Sequence, residues 1–152
     1  MMPKCREYFI LHVDLFVRSM ETALAFYCHK LGFSVFDDTL LEGPIVRMIS
    51  GGCYSTVRLV LVKSSPTGAM IELQEFQPSS ALTENAHSHP LRKGWVSILV
   101  PDLQFHIETM RMHDVHPKSE LFVVKLPRSR ACEAVVYQDP DGNDLEFLQI
   151  QR

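Results

Sequence analysis

Two glutamates stand among apolar residues in segments that alternate between polar and apolar. Glu72 lies in AMIELQEF (69–76), and Glu146 lies in DLEFLQI (144–150), the last such segment of the chain. Successive side chains of a strand point to opposite faces, so the apolar neighbours of each glutamate would face the core and leave the carboxylate toward a cleft. Buried unpaired carboxylates are costly, so two of them need a metal ion, a proton or water. The alternative is that both face solvent on the outer side of a sheet.

A histidine and an aspartate share one face of a third alternating segment. In YFILHVDLFV (8–17), His12 and Asp14 lie on the same side of the predicted strand. A single histidine on a half-buried strand is more often a hydrogen-bonded core residue than a metal ligand, and that alternative stands beside the chemical one.

The elements that would position these residues occur in the same order twice. A strand over 8–17 precedes a helix with Ser19 as N-cap and Gly32 as its end. Strands are predicted next over FSVFDD (33–38), IVRMIS (45–50), VRLVLVK (57–63) and AMIELQEF (69–76). After an aperiodic stretch comes a second strand, GWVSILV (94–100), and a helix with Asp102 as N-cap. Strands follow over LFVVKL (121–126), CEAVVYQD (132–139) and, after the turn DPDG, DLEFLQI (144–150).

The two halves can be overlaid, which places His12 opposite Trp95 and Glu72 opposite Glu146. Two copies are too few for a repeat array. The overlay predicts an α+β fold of two tandem βαβββ modules that form a curved mixed sheet around a cleft. We expect one domain over residues 1–152, with module 1 at about 6–77, a linker at about 78–93 and module 2 at about 94–151.

Composition excludes several classes of protein. The chain has 152 residues, 46% of them hydrophobic, and a formal net charge of −3. Neither a basic stripe for nucleic acid nor an apolar run long enough for a membrane is present. The four cysteines are far apart and form no CxxC, and no signal peptide is evident, so we expect reduced thiols in a cytoplasmic protein (Cys5, Cys28, Cys53 and Cys132).

The order of these motifs resembles the vicinal oxygen chelate superfamily of glyoxalases, epimerases, bleomycin-binding proteins and extradiol dioxygenases. The resemblance is carried by HVDLFV, ALAFYCHKLGF (23–33), IELQEF (71–76) and YQDPDGNDLEF (137–147), and it covers essentially the whole chain. It implies a glyoxalase-like fold. It is less specific for activity, because one fold supports many functions.

The resemblance implies metal ligands at the first and last strands of each module. Carried over by position, these are His12, Glu72 and Glu146, with Trp95 at the fourth position, where indole offers no lone pair to a metal. Imidazole with carboxylates suits Zn, Ni, Mn, Co or Fe. Such a metal would act as a Lewis acid on an oxygen-chelating substrate, as in lyase or isomerase chemistry. Glu146, with Glu72 as its counterpart, is the implied catalytic base.

Trp95 favours a second hypothesis, a metal-free small-molecule-binding or drug-resistance protein of the bleomycin-binding type. Trp95 would stack on a flat ligand, and Asp14, Gln74 and Ser97 would supply polar substrate contacts. Extradiol dioxygenase activity ranks lower, because Trp95 replaces one histidine of the two-histidine, one-carboxylate iron site.

The expected partners are a small-molecule substrate or ligand and a second copy of the chain in a homodimer. His87 and His89 lie in the linker and carry only a weak metal-like pattern.

Overall fold

The computed structural model describes residues 11–50, 52, 54–77, 93–125 and 131–151. Module 1 contains β1 (His12–Phe16), α1 (Met20–Leu24) with a π-helical continuation (Ala25–Lys30), β2 (Ser34–Glu42), α2 (Pro44–Ile49), β3 (Thr56–Lys63) and β4 (Met70–Gln77). Module 2 contains β5 (Trp95–Leu99), α3 (Leu103–Met112), β6 (Phe122–Lys125), β7 (Ala131–Gln138) and β8 (Asp144–Ile150). His87, His89, Cys5, Cys53 and most of the predicted linker lie outside the described residues.

The strands form two four-stranded mixed sheets with the same topology. Their orders are β1-β4-β3-β2 and β5-β8-β7-β6, and in each the first and last strands of the module pair in parallel. Asp14 is the Cα partner of Glu72, and Ser97 holds the same register against Glu146. This confirms the predicted α+β fold of two modules, and the registers agree with the overlay of His12 on Trp95.

Both predicted helix starts are confirmed. The Ser19 side chain accepts from the N–H of Thr22, and the Asp102 side chain accepts from the N–H of Phe105. The first helix widens to π geometry after Leu24 and gives way to Gly32, whose φ of 76° suits a residue without a Cβ.

The prediction of a strand over 45–50 is wrong, because these residues form α2. Pro44 occupies the first helical position, where a backbone N–H would have no acceptor within the helix, so proline costs no hydrogen bond there. The N–H groups of Val46 and Arg47 both donate to the carbonyl of Gly43, and the Val46 side chain is fully buried. The β-branched residues Ile45 and Val46 suggested a strand, but burial of the Val46 side chain outweighs that weak preference.

One hydrophobic core joins the two modules. It includes Leu15, Tyr27 and Leu73 from module 1, and Tyr137 and Phe147 from module 2. Two thiols in the described part of the chain, those of Cys28 and Cys132, are free. Among the described helices, none is long and apolar enough to cross a membrane.

A group of polar contacts, which we call the polar joint, connects the modules beside this core. The Tyr27 hydroxyl donates to Asp139 Oδ2 over 2.9 Å, and Arg18 Nε pairs with Asp141 Oδ1 at 3.0 Å. Asn143 takes part from the same turn, because its Nδ2 donates to the carbonyl of Phe16 over 3.4 Å. Its side-chain oxygen also accepts from the N–H of Gly94 at 2.7 Å. A Cβ at Gly94 would overlap the Leu15 side chain, so a larger residue there would have to displace Leu15 from the core between the modules.

His106 should make stability depend on pH. Its ring stacks on Phe147 with 3.9 Å between centroids and meets Tyr137 edge-on, and its Nε2 is buried without a hydrogen bond. Burial lowers the pKa of His106 below its ordinary 6.5. The unfolded chain then binds more protons between the two pKa values, so the free energy of unfolding should fall as the pH drops below about 6.5, by at most ~1.4 kcal/mol per pH unit.

Urea unfolding between pH 5 and pH 8 would measure this dependence. The variant His106→Phe keeps a ring against Phe147 and should lose most of the dependence in this window. His116→Gln, which alters an exposed histidine, is the matched control and should keep it. An unchanged pH profile in His106→Phe would contradict the assignment.

Candidate active site

Three potential metal ligands converge on one face of module 1. His12 Nδ1 lies 3.2 Å from Asp14 Oδ1 and 3.6 Å from Glu72 Oε2. One ligand atom from each residue lies within 4.8 Å of the other two. Strand geometry produces this grouping, because His12 and Asp14 are two residues apart on β1 and Glu72 faces Asp14 across the parallel pair.

Gln74 orients Glu72 in this group. Gln74 Nε2 donates to Glu72 Oε1 over 2.8 Å, which leaves Oε2 toward His12. The Glu72 side chain is only 13% exposed, whereas that of Asp14 is 51% exposed. The group is therefore anchored on its Glu72 side and open on its Asp14 side, where a small molecule could approach.

The donor set fits a divalent cation. The His12 Nδ1 atom is buried and makes no hydrogen bond despite the two nearby carboxylates. Directly opposed like charges destabilise a strand pair, and Asp14 opposes Glu72. A cation between them would remove the repulsion and give His12 Nδ1 a partner, and one imidazole with two carboxylates suits the metals named above.

The structure places Glu146 elsewhere. Within the described ranges, the triad of possible ligands consists of His12, Asp14 and Glu72, and Glu146 is not a member. Glu146 lies on β8, where its Oε2 accepts a 2.7 Å hydrogen bond from Ser97 Oγ. The role of Glu146 as ligand or base thus stays a prediction.

Trp95 is exposed on the surface of module 2. Its side chain is 58% exposed, and Ser97 and Leu99 follow it on the same exposed face of β5. Trp95 therefore has surface available for stacking on a ligand. Its part in substrate binding stays a prediction, as does that of Ser97.

Sequence reasoning placed Asp14 among the substrate contacts and did not group it with the ligands. The signal that could have found it is its spacing of two from His12 on one strand face. The same rule of two would have drawn attention to Phe16 beyond Asp14 and to Phe76 beyond Gln74. Phe16 and Phe76 contact each other with 5.7 Å between ring centroids.

One family model matches most of the chain. The family model described as Glyoxalase/Bleomycin resistance protein/Dioxygenase superfamily matches residues 9–147. No curated protein sequence matches the chain.

Several solved structures are similar to the chain in fold. A glyoxalase family protein from Bacillus cereus shares 19% identity over 100% of both chains, with a TM-score of 0.67. A protein from the mobile metagenome of V. pseudocholerae shares 18% over 97% of this chain and 98% of the other, with a TM-score of 0.64. The trypanothione-dependent glyoxalase I of Leishmania major shares 21% over 94% and 87%, with a TM-score of 0.59. At such identities, these likenesses show the fold alone.

Proposed function

This chain belongs to the glyoxalase/bleomycin resistance protein/dioxygenase superfamily, and on that premise we propose that it is a metal-assisted lyase or isomerase. Its substrate is a small molecule with two oxygens placed to chelate a cation. The observation that carries the proposal is the convergence of His12, Asp14 and Glu72, with an imidazole nitrogen that is buried and makes no hydrogen bond.

The residues have distinct roles in this proposal. His12, Asp14 and Glu72 would hold the divalent ion, and the chemistry that the ion would supply is Lewis-acid stabilisation of negative charge on a substrate oxygen. Gln74 fixes the rotamer of Glu72 through its 2.8 Å hydrogen bond. Glu146 is the proposed base, and Ser97 orients it by donating to Oε2.

Metal analysis of untagged protein tests the proposal. Protein purified without an affinity tag should carry close to one divalent ion per chain, and His12→Ala should carry far less. Ser97→Ala, which leaves the three module 1 side chains intact, is the matched control. Equal, substoichiometric metal in wild type and His12→Ala would overturn the proposal.

A metal-free ligand-binding protein is the second candidate, favoured by the exposure of Trp95. Trp95 is the single tryptophan of the chain, so its fluorescence reports directly on stacking. Saturable quenching by aromatic compounds in chelator-treated protein would support this candidate. Stoichiometric metal together with no quenching across a broad panel would reject it.

We also propose that two copies of the chain form a homodimer. The support is the open face of β5, where Trp95, Ser97 and Leu99 are exposed beside Glu146, and the exposed Asp14 on β1. A second copy could bring its Glu146 to the group on module 1. Sedimentation velocity should then show a dimer. A monomer at micromolar concentration would overturn this proposal.

A further inference from the structure

An aromatic surface adjoins the proposed cation group on module 1. Phe76 contacts Phe16 with 5.7 Å between ring centroids and Tyr54 with 5.2 Å. We call Phe16, Tyr54 and Phe76 the aromatic wall. From this wall we infer that the substrate carries a flat aromatic body beside its two chelating oxygens. The inference rests on the proposed function and specifies the substrate of the same site.

Strand periodicity makes the wall continuous with the ligands. Phe16 is two residues beyond Asp14 on β1, and Phe76 is two residues beyond Gln74 on β4. Phe16 and Gln74 are Cα partners in the parallel pair. A molecule held at Asp14 and Glu72 would therefore extend along the strands directly onto the rings.

The partial exposure of the three rings indicates that they can contact a ligand as well as pack against each other. Phe16, Tyr54 and Phe76 are all half-buried, whereas the core aromatics Tyr27 and Tyr137 are fully buried. The half-buried rings of Phe16 and Phe76 therefore keep part of their surface available to another ring.

The second module provides an internal comparison. The overlay that matches His12 with Trp95 matches Phe16 with Leu99, and it matches Phe76 with Ile150. The same sheet positions thus accept aliphatic residues without loss of the fold. The fold alone does not require aromatic rings there, which supports a specific role for them in module 1.

Two hydroxamates with the same chelating head test the inference. Benzohydroxamate carries a ring and acetohydroxamate a methyl group, and calorimetric titration compares their affinities for Mn²⁺-loaded protein. Wild type should prefer benzohydroxamate by about tenfold. The double variant Phe16→Leu/Phe76→Ile, which installs the residues of module 2, should lose most of this preference. Phe105→Leu, which removes an exposed ring of α3, is the matched control and should keep it.

The outcomes separate this inference from the proposed function. If Mn²⁺ adds nothing to either affinity, the cation site fails, while the ring preference of metal-free protein and its loss in the double variant still support the wall. Equal affinities of wild type for the two hydroxamates, or a preference that survives in a double variant with unchanged circular dichroism, would overturn the wall.

Discussion

Asp139→Ala should lower the free energy of unfolding by about 3–5 kcal/mol. The Asp139 carboxylate is buried and accepts four hydrogen bonds of 2.7–2.9 Å. The donors are the Tyr27 hydroxyl, the Asn143 side-chain amide and the backbone N–H groups of Asp141 and Asn143. Alanine would leave all four donors without their partner, and three of these hydrogen bonds are buried.

The Tyr27 donor is well defined. Burial and the neighbouring Asp139 carboxylate raise the pKa of Tyr27 well above its ordinary value, so the phenol stays protonated and donates. Tyr27→Phe removes one donor and leaves the carboxylate with three. It should therefore cost only about 1 kcal/mol.

Urea denaturation would measure both effects from the midpoint and the slope of the transition. Asp37→Ala is the control, because Asp37 is exposed and the only hydrogen bond it accepts in the described structure comes from the Thr39 hydroxyl. That variant should stay within about 0.5 kcal/mol of wild type. A loss in Asp139→Ala no larger than that in Asp37→Ala would show that the joint does not hold the modules together.

The contrast between local and distant contacts explains what the sequence could predict. Ser19 and Asp102 were predicted as N-caps because a cap bonds within three residues of itself. Asp139 could be identified only as part of a turn, since its partner Tyr27 is 112 residues away. The same limit explains the wrong strand over 45–50, where burial of Val46 decided the outcome.

The candidate site divides in the same way. Strand periodicity and the overlay placed His12 on the first strand and Glu72 on the last strand of module 1. The observed registers of the two modules agree with that placement. Strand periodicity gives no information on the distance between the two modules. It therefore could not predict whether Glu146 lies close to His12 within one chain. That distance depends on the packing of modules and copies, which no local pattern encodes.

Binding of Co²⁺ should raise the stability of wild type strongly. At about 100 times its dissociation constant, a ligand that binds only the folded state adds about 2.7 kcal/mol to the free energy of unfolding. For a chain of this length that corresponds to an increase in Tm of about 5–10 °C. A chelator should reverse the increase, and His12→Ala should not show it, because the imidazole nitrogen is lost.

Two further variants identify which carboxylates hold the ion. Asp14→Asn keeps the size of the side chain and removes its charge, so affinity should fall at least about tenfold, or ~1.4 kcal/mol. Glu146→Gln distinguishes a metal site formed by module 1 alone from a metal site completed by Glu146 of a second copy. If His12, Asp14 and Glu72 suffice, its Co²⁺-dependent increase in Tm equals that of wild type. If a second copy supplies Glu146, the increase falls as it does for Asp14→Asn.

The response of wild type to Co²⁺ also decides whether a cation binds at this group. Without a metal, His12 Nδ1 would face the two carboxylates directly, at 3.2 Å from Asp14 Oδ1 and 3.6 Å from Glu72 Oε2. In that case Co²⁺ would leave Tm unchanged in wild type and in every variant, and the metal-free candidate would take precedence. Differential scanning fluorimetry of the four proteins in one buffer, with Co²⁺ and with chelator, measures all of these changes in Tm.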